Sequence, residues 1–119
     1  MIAGVGLRET ATARDILAAL DLAPAPLAGI ATLEGKAALP ALRHAAGIRG
    51  LSITALPRAA IQGIATPTQS PRQLALFATG SLAEAAALVA AGPGATLHGP
   101  RLVLPGGAAT IAFASKEQP

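Results

Sequence analysis

The sequence contains no cysteine and very few aromatic residues. None of its 119 residues is cysteine, tryptophan or tyrosine, and phenylalanine occurs twice. The lack of cysteine excludes disulfide scaffolds, thiolate metal sites and cysteine nucleophiles, and it is consistent with a reducing compartment. Because aromatics make up only 2% of the chain, a core must be built from alanine, leucine, isoleucine and valine.

Long apolar runs and clustered charges are also missing. No apolar stretch reaches the ~20 residues needed to cross a bilayer, and MIAGVGLRE has no charged segment before its apolar residues. The nine basic residues are dispersed, and aromatics for base stacking are scarce. We therefore expect a cytoplasmic protein that binds neither membranes nor nucleic acid. Its net charge of +3 favours an anionic small molecule as ligand.

Short apolar segments alternate with helical patterns in the first half of the chain. Thr12 and Asp15 have the spacing of a capping box, which predicts a helix after them. Pro40 suits the first turn of a second helix that runs to about His44, and Gly47 is expected to end it. The predicted strands of this half are residues 2–6, 27–33 and 50–54.

Helices dominate the next segment, and strands return in the last third. Short helices are predicted over residues 57–62 and 71–77, and a longer one begins with a Ser81–Glu84 capping box and ends at Gly92. Pro105-Gly106-Gly107 is typical of a hairpin turn. The predicted strands of the last third are residues 95–98, 101–104 and 109–114.

This order of elements predicts an α/β fold. Helices that alternate with strands, followed by a hairpin, indicate a three-layer α/β/α sandwich with a mixed sheet and a C-terminal β-hairpin. We expect residues 1–114 to form a single domain, and the polar residues 115–119 to form a loose tail.

Residues suited to an anion follow the predicted strands or begin helices. In open α/β sheets, ligands bind beyond the carboxyl ends of the strands. Glycines allow close backbone approach, arginine pairs with a carboxylate through two hydrogen bonds, and helix N-termini offer free N–H groups. The candidate ligand-binding residues are Gly4, Gly6, Arg8, Thr10, Glu34, Lys36, Thr66, Thr68, Gly80 and Ser81.

Each of these residues also has a purely structural interpretation. Gly4 and Gly6 could serve only a tight turn, and Arg8 could be a solvated surface residue. Glu34 and Lys36 could form an exposed ion pair worth about 0–1 kcal/mol. Candidates for catalysis are few, with Glu34 as a weak candidate for a general base. The two histidines lack partners at metal-ligand spacing, so no protein metal site is expected.

Five segments, in this order, resemble a known family. They are Gly4-Val5-Gly6-Leu7-Arg8, ATLEGK at 31–36, Thr66-Pro67-Thr68, TGSLAEAAAL at 79–88 and TIAFA at 110–114. Together they resemble the CobE family and the C-terminal domain of CbiG, proteins of cobalamin biosynthesis. The length of the chain is similar to that of the free-standing CobE.

Three positions depart from the family pattern. Leu7 stands where the family usually has cysteine, which removes any thiol role, and Glu34 replaces an aspartate. In the hairpin, where relatives often carry lysines, Arg101 is the one basic residue before Pro105. This departure weakens the expectation that the hairpin binds a ligand.

The resemblance implies a ligand and three possible roles. The ligand would be an anionic precorrin or a tetrapyrrole similar to hydrogenobyrinic acid, and the protein would be its carrier or a pathway accessory. Alternatively, it would be a hydrolase that opens a precorrin lactone and releases acetaldehyde, with Glu34 as base and Arg8 and Lys36 stabilising the oxyanion. A third possibility is a docking module for pathway methyltransferases. No further cofactor is implied, and a homodimer through alanine-rich helix faces is possible.

Overall fold

A six-stranded mixed sheet forms the middle layer of the protein. The computed structural model describes residues 1–116. The strands are β1 (Ile2–Leu7), β2 (Gly29–Leu33), β3 (Ser52–Leu56), β4 (Ala95–Leu97), β5 (Leu102–Val103) and β6 (Ala109–Lys116). The helices are α1 (Ala13–Leu20), α2 (Glu34–Ala37), α3 (Pro40–Arg49), α4 (Arg58–Ile61), α5 (Pro71–Phe77) and α6 (Leu82–Ala91).

The strand order is β3-β2-β1-β6-β4, with β5 also paired to β6. The strands β1, β2 and β3 are parallel, and β6 runs antiparallel to β1 over the full length of β1. The side of β6 that faces away from β1 pairs with two short strands. Thr110 and Ile111 pair with β5, and the residues from Ala114 onwards pair with β4. The mixed sheet and the C-terminal hairpin of β5 and β6 are therefore confirmed.

Helices cover both faces of the sheet, which confirms the three-layer sandwich. On one face, α1 and α3 pack on Val5, Ile30 and Ile111 in the larger core cluster. On the other face, α4 and α6 pack on Ala31 and Leu56 in a smaller cluster. Residues Gly29–Thr32 of β2 are buried, as expected of a strand covered on both sides.

The contact between α6 and β1 is unusually close, and it depends on Gly4. A Cβ atom at Gly4 would lie 2.5 Å from the backbone nitrogen of Ala87 and closer still to the carbonyl oxygen of Ala83. Ala83 and Ala87 are themselves buried small residues of α6. The helix backbone therefore rests directly on the strand backbone, which brings the start of α6 next to the end of β1.

Several predicted boundaries are wrong by a few residues. The helix α3 continues through Gly47 to Arg49, and Gly50 (φ +64°) ends it in the left-handed conformation that favours glycine. Glu34 begins the one-turn helix α2, which the sequence did not predict. By contrast, the capping box of Thr12 and Asp15 is confirmed, and the Ser70 side chain caps α5.

The expected Ser81–Glu84 capping box is only half formed. Ser81 Oγ accepts a hydrogen bond from the Glu84 N–H at 3.3 Å. The Glu84 carboxylate, which is fully buried, instead accepts from the N–H groups of Thr68 at 3.0 Å and Arg101 at 3.2 Å. One buried side chain therefore joins α6 to two separate loops.

The end of the chain is a strand as far as the structure describes it. Ser115 and Lys116, which were expected in a loose tail, belong to β6 and pair with Thr96 and Ala95. Residues 117–119 of that tail lie outside the described residues. Within residues 1–116, no single helix is long and apolar enough to cross a membrane. The helices α5 and α6 meet that test only as a pair, bent by 56°.

We expect Gly4→Ala to lower the free energy of unfolding by about 3 kcal/mol, because the added methyl group has no room against α6. Urea denaturation followed by circular dichroism measures the change. Gly35→Ala is the matched control, since a Cβ atom at Gly35 meets nothing within 4 Å. Equal stability of the two variants would contradict the close contact.

We expect Glu84→Ala to cost about 3 kcal/mol of stability, because two N–H groups lose their shared acceptor. Glu84→Gln should cost less, since its carbonyl oxygen keeps one of the two bonds. The exposed Glu9 serves as control, with Glu9→Ala changing stability by at most ~0.5 kcal/mol. A denaturation midpoint of Glu84→Ala that equals that of the wild type would refute this role.

Candidate functional site

An open pocket of about 570 Å³ lies where β1 and β2 end. Its walls are the segments that follow these two strands, the helix α5, the first turn of α6 and the β5–β6 hairpin. This volume lies within the usual ~300–1,000 Å³ range of small-molecule sites. Its position agrees with the expectation that a ligand site lies at the carboxyl ends of the parallel strands.

The charges around this pocket are mostly positive. Glu9 is the one carboxylate in its lining within the described part of the chain. The cationic side chains of the lining are Arg8, Lys36, Arg72 and Arg101. The excess of positive charge in a concave site attracts anions and concentrates them there.

Apolar side chains form much of the remaining wall. Leu76 and Val103 are 49% and 57% exposed. Leu33, Phe77 and Leu82 lie deeper in the same lining. The pocket therefore combines an apolar surface with cationic groups.

Three of the ten predicted ligand-binding residues are brought together in the pocket. Gly6 is at the end of β1, Arg8 follows that strand, and Lys36 follows β2. Because β1 and β2 are parallel neighbours, the segments that follow them leave the same edge of the sheet. A Cβ atom at Gly6 would have Thr110 Cβ as its nearest neighbour, at 3.8 Å, so the backbone at Gly6 is open to a ligand.

Three other predicted residues do not line the pocket. Gly4 is buried beneath α6, where its lack of a side chain serves packing. Thr10 and Glu34 are exposed, on the loop after β1 and at the start of α2. Glu34, the weak catalytic candidate, is therefore near Lys36 in sequence but outside the lining of the pocket.

The remaining four predicted residues, Thr66, Thr68, Gly80 and Ser81, hold the loop before α5 against the start of α6. Thr66 Oγ1 donates to the carbonyl oxygen of Thr68 at 2.8 Å. Gly80 packs so closely on Thr68 that an added Cβ atom would overlap its carbonyl oxygen. The Ser81 hydroxyl caps α6. The hydroxyls of Thr66 and Ser81 and the backbone of Thr68 are engaged inside the protein, so we see these residues as supports of the pocket.

The sequence did not single out Arg72, Gln73 or the role of Arg101. Gln73 lines the pocket, and its Oε1 accepts the N–H of Leu82, so the first donor of α6 is already used. Arg101 contributes to the lining together with Val103, although the scarcity of basic residues in the hairpin weakened the expectation that it binds a ligand. No local sequence pattern indicates these residues, because the residues that surround them in space are distant from them in the chain.

Comparisons with known proteins agree with this fold. A family model described as "Cobalamin synthesis G C-terminus" matches residues 1–114. The crystal structure of CobE, described as a protein from the cobalamin (vitamin B12) biosynthetic pathway, is similar with a TM-score of 0.80 and 30% identity. That match covers 95% of this chain and 87% of the other.

A second solved structure is similar over nearly all of both chains. It is the cobalamin biosynthesis protein chiG from Agrobacterium tumefaciens str. C58, with a TM-score of 0.76, 33% identity and 98% coverage of each chain. A comparison with curated proteins found no match. The family match and the two structures show that the chain belongs to the cobalamin synthesis G C-terminus family and is a protein of cobalamin biosynthesis.

Proposed function

We propose that the protein binds an anionic tetrapyrrole intermediate of cobalamin biosynthesis in the pocket at the ends of β1 and β2, as a carrier or accessory of the pathway. The observation that carries this proposal is the composition of the pocket, where four cations and one carboxylate surround an apolar surface. Precorrins and corrinoids have the complementary chemistry, with an apolar macrocycle and carboxylate arms around its rim.

The sheet edge offers the first contacts for such a ligand. Arg8 can donate two parallel hydrogen bonds to one carboxylate, and Lys36 can neutralise a second. The absence of a side chain at Gly6 lets the macrocycle approach the end of β1. The pocket is open, so part of a ligand of this size stays in contact with solvent.

The apolar part of the macrocycle would cover side chains that are otherwise exposed. Leu76 of α5 and Val103 of β5 stand on two sides of the pocket, and both are about half exposed. Burial of apolar surface contributes roughly 25 cal/mol per Å², so covering both side chains adds to the affinity that the ion pairs supply.

The hydrolase alternative has less support from the geometry. Glu34 lies outside the lining of the pocket, and Glu9, the carboxylate within the lining, is exposed. A general base must come within hydrogen-bond reach of the proton that it removes. The binding proposal requires no proton transfer by either residue.

We expect Arg8→Gln and Lys36→Gln each to raise the Kd for hydrogenobyrinic acid about fivefold, because each removes one partly exposed ion pair. An ultraviolet-visible titration of the purified protein with this compound measures the Kd, and added salt should raise it as well. Arg14→Gln is the control, since Arg14 is exposed on α1 outside the pocket. If Arg14→Gln weakened binding as much as Arg8→Gln, the effect would come from net charge rather than from this site.

We expect Gly6→Val to weaken binding of the same compound more than tenfold without unfolding the protein. The new side chain would occupy the floor of the pocket, and its Cβ atom has an ordinary contact distance of 3.8 Å to Thr110. Valine also suits a strand, so the urea midpoint should move little. Full affinity in a folded Gly6→Val variant would show that the ligand binds elsewhere.

A further inference from the structure

Arg72 and Arg101 line the pocket together with Arg8 and Lys36. Arg101 directly precedes β5, which lies beyond β6 in the sheet, and Arg72 lies in the first turn of α5. The Glu84 carboxylate accepts the N–H groups of both Thr68 and Arg101, so the loop that leads into α5 adjoins the segment before β5. This buried carboxylate thereby positions the two segments that carry these arginines.

Lys36 and Arg101 consequently lie on segments that are separated across the width of the sheet. Lys36 follows β2 and Arg101 precedes β5, and the strands β1 and β6 lie between β2 and β5. Neighbouring strands lie ~4.8 Å apart, so the backbones of the two segments are separated by at least roughly 14 Å. A macrocycle with acidic arms on opposite sides can place one carboxylate near each of these cations.

We infer that Arg72 and Arg101 form a second anion-binding wall, and that the protein selects a macrocycle whose side-chain acids are free on two separated sides over the same macrocycle with amidated side chains. This inference rests on the proposed function. A primary amide is neutral, and its N–H₂ group offers donors where the arginines also offer donors. Glu9 is the one carboxylate of the described lining that could accept from such an amide.

This selectivity indicates which class of reaction follows the binding step. A site that prefers free acids binds its macrocycle before an amide-forming reaction converts those acids into amides. The product of that amidation leaves the site more readily than its precursor does, because it has lost the charge that both walls recognise.

The test compares hydrogenobyrinic acid with hydrogenobyric acid, the same macrocycle with all but one side-chain acid converted to primary amides. Both are titrated into the wild-type protein, into an Arg72→Gln/Arg101→Gln variant and into an Arg14→Gln/Arg43→Gln control of equal net charge. We expect the wild type and the control to bind the free acid at least about tenfold more tightly than the amidated compound, as the loss of several partly exposed ion pairs implies. The ratio of the Kd for the amidated compound to the Kd for the free acid should fall towards one in the Arg72→Gln/Arg101→Gln variant.

The possible outcomes separate this inference from the proposed function. Equal affinity of the wild type for both compounds overturns the selectivity and leaves tetrapyrrole binding in place. A preference that survives in the Arg72→Gln/Arg101→Gln variant overturns the assignment to the second wall. If neither compound binds the wild type at millimolar concentration, the proposed function fails and the inference fails with it. Urea denaturation of each variant verifies that it is folded.

Discussion

The close contact between the backbones of α6 and β1 is the constraint on which the rest of the structure depends. Gly4 allows it from the strand, and Ala83 and Ala87 allow it from the helix. Without it, the first turn of α6 would not stand over the end of β1, where the pocket begins. The alanine-rich composition of this helix is therefore explained by packing, since small residues let two backbones approach.

The same helix carries a second structural device at its start. Glu84 is fully buried and bonds to two loops, while Ser81 caps the helix and Gln73 takes the N–H of Leu82. Leaving such buried groups unpaired would be costly, so these bonds determine where the loops lie. The polar motif around residues 79–88 thus acts mainly inside the protein, and the pocket takes its charge from arginine and lysine residues on the surrounding segments.

Local sequence patterns predicted most of the elements and the sheet-edge part of the site. The caps at Thr12 and Ser70 depend on residues three positions apart, so they can be identified from the sequence. Gly6, Arg8 and Lys36 follow directly from two strands, and the common geometry of parallel sheets brings their segments together. The predicted end of α3 at Gly47 was wrong, because a glycine within a helix is tolerated when a later residue such as Gly50 supplies a left-handed cap.

The sequence by itself determined the class of fold and the family, because these follow from composition, local pattern and motif order. Only the tertiary structure decided that Gly4 serves packing, that Glu84 joins two loops and that Arg72 and Arg101 face the same pocket as Arg8. The physical reason is distance along the chain. Contacts between residues tens of positions apart depend on how the layers pack, and no short pattern in the sequence encodes that packing.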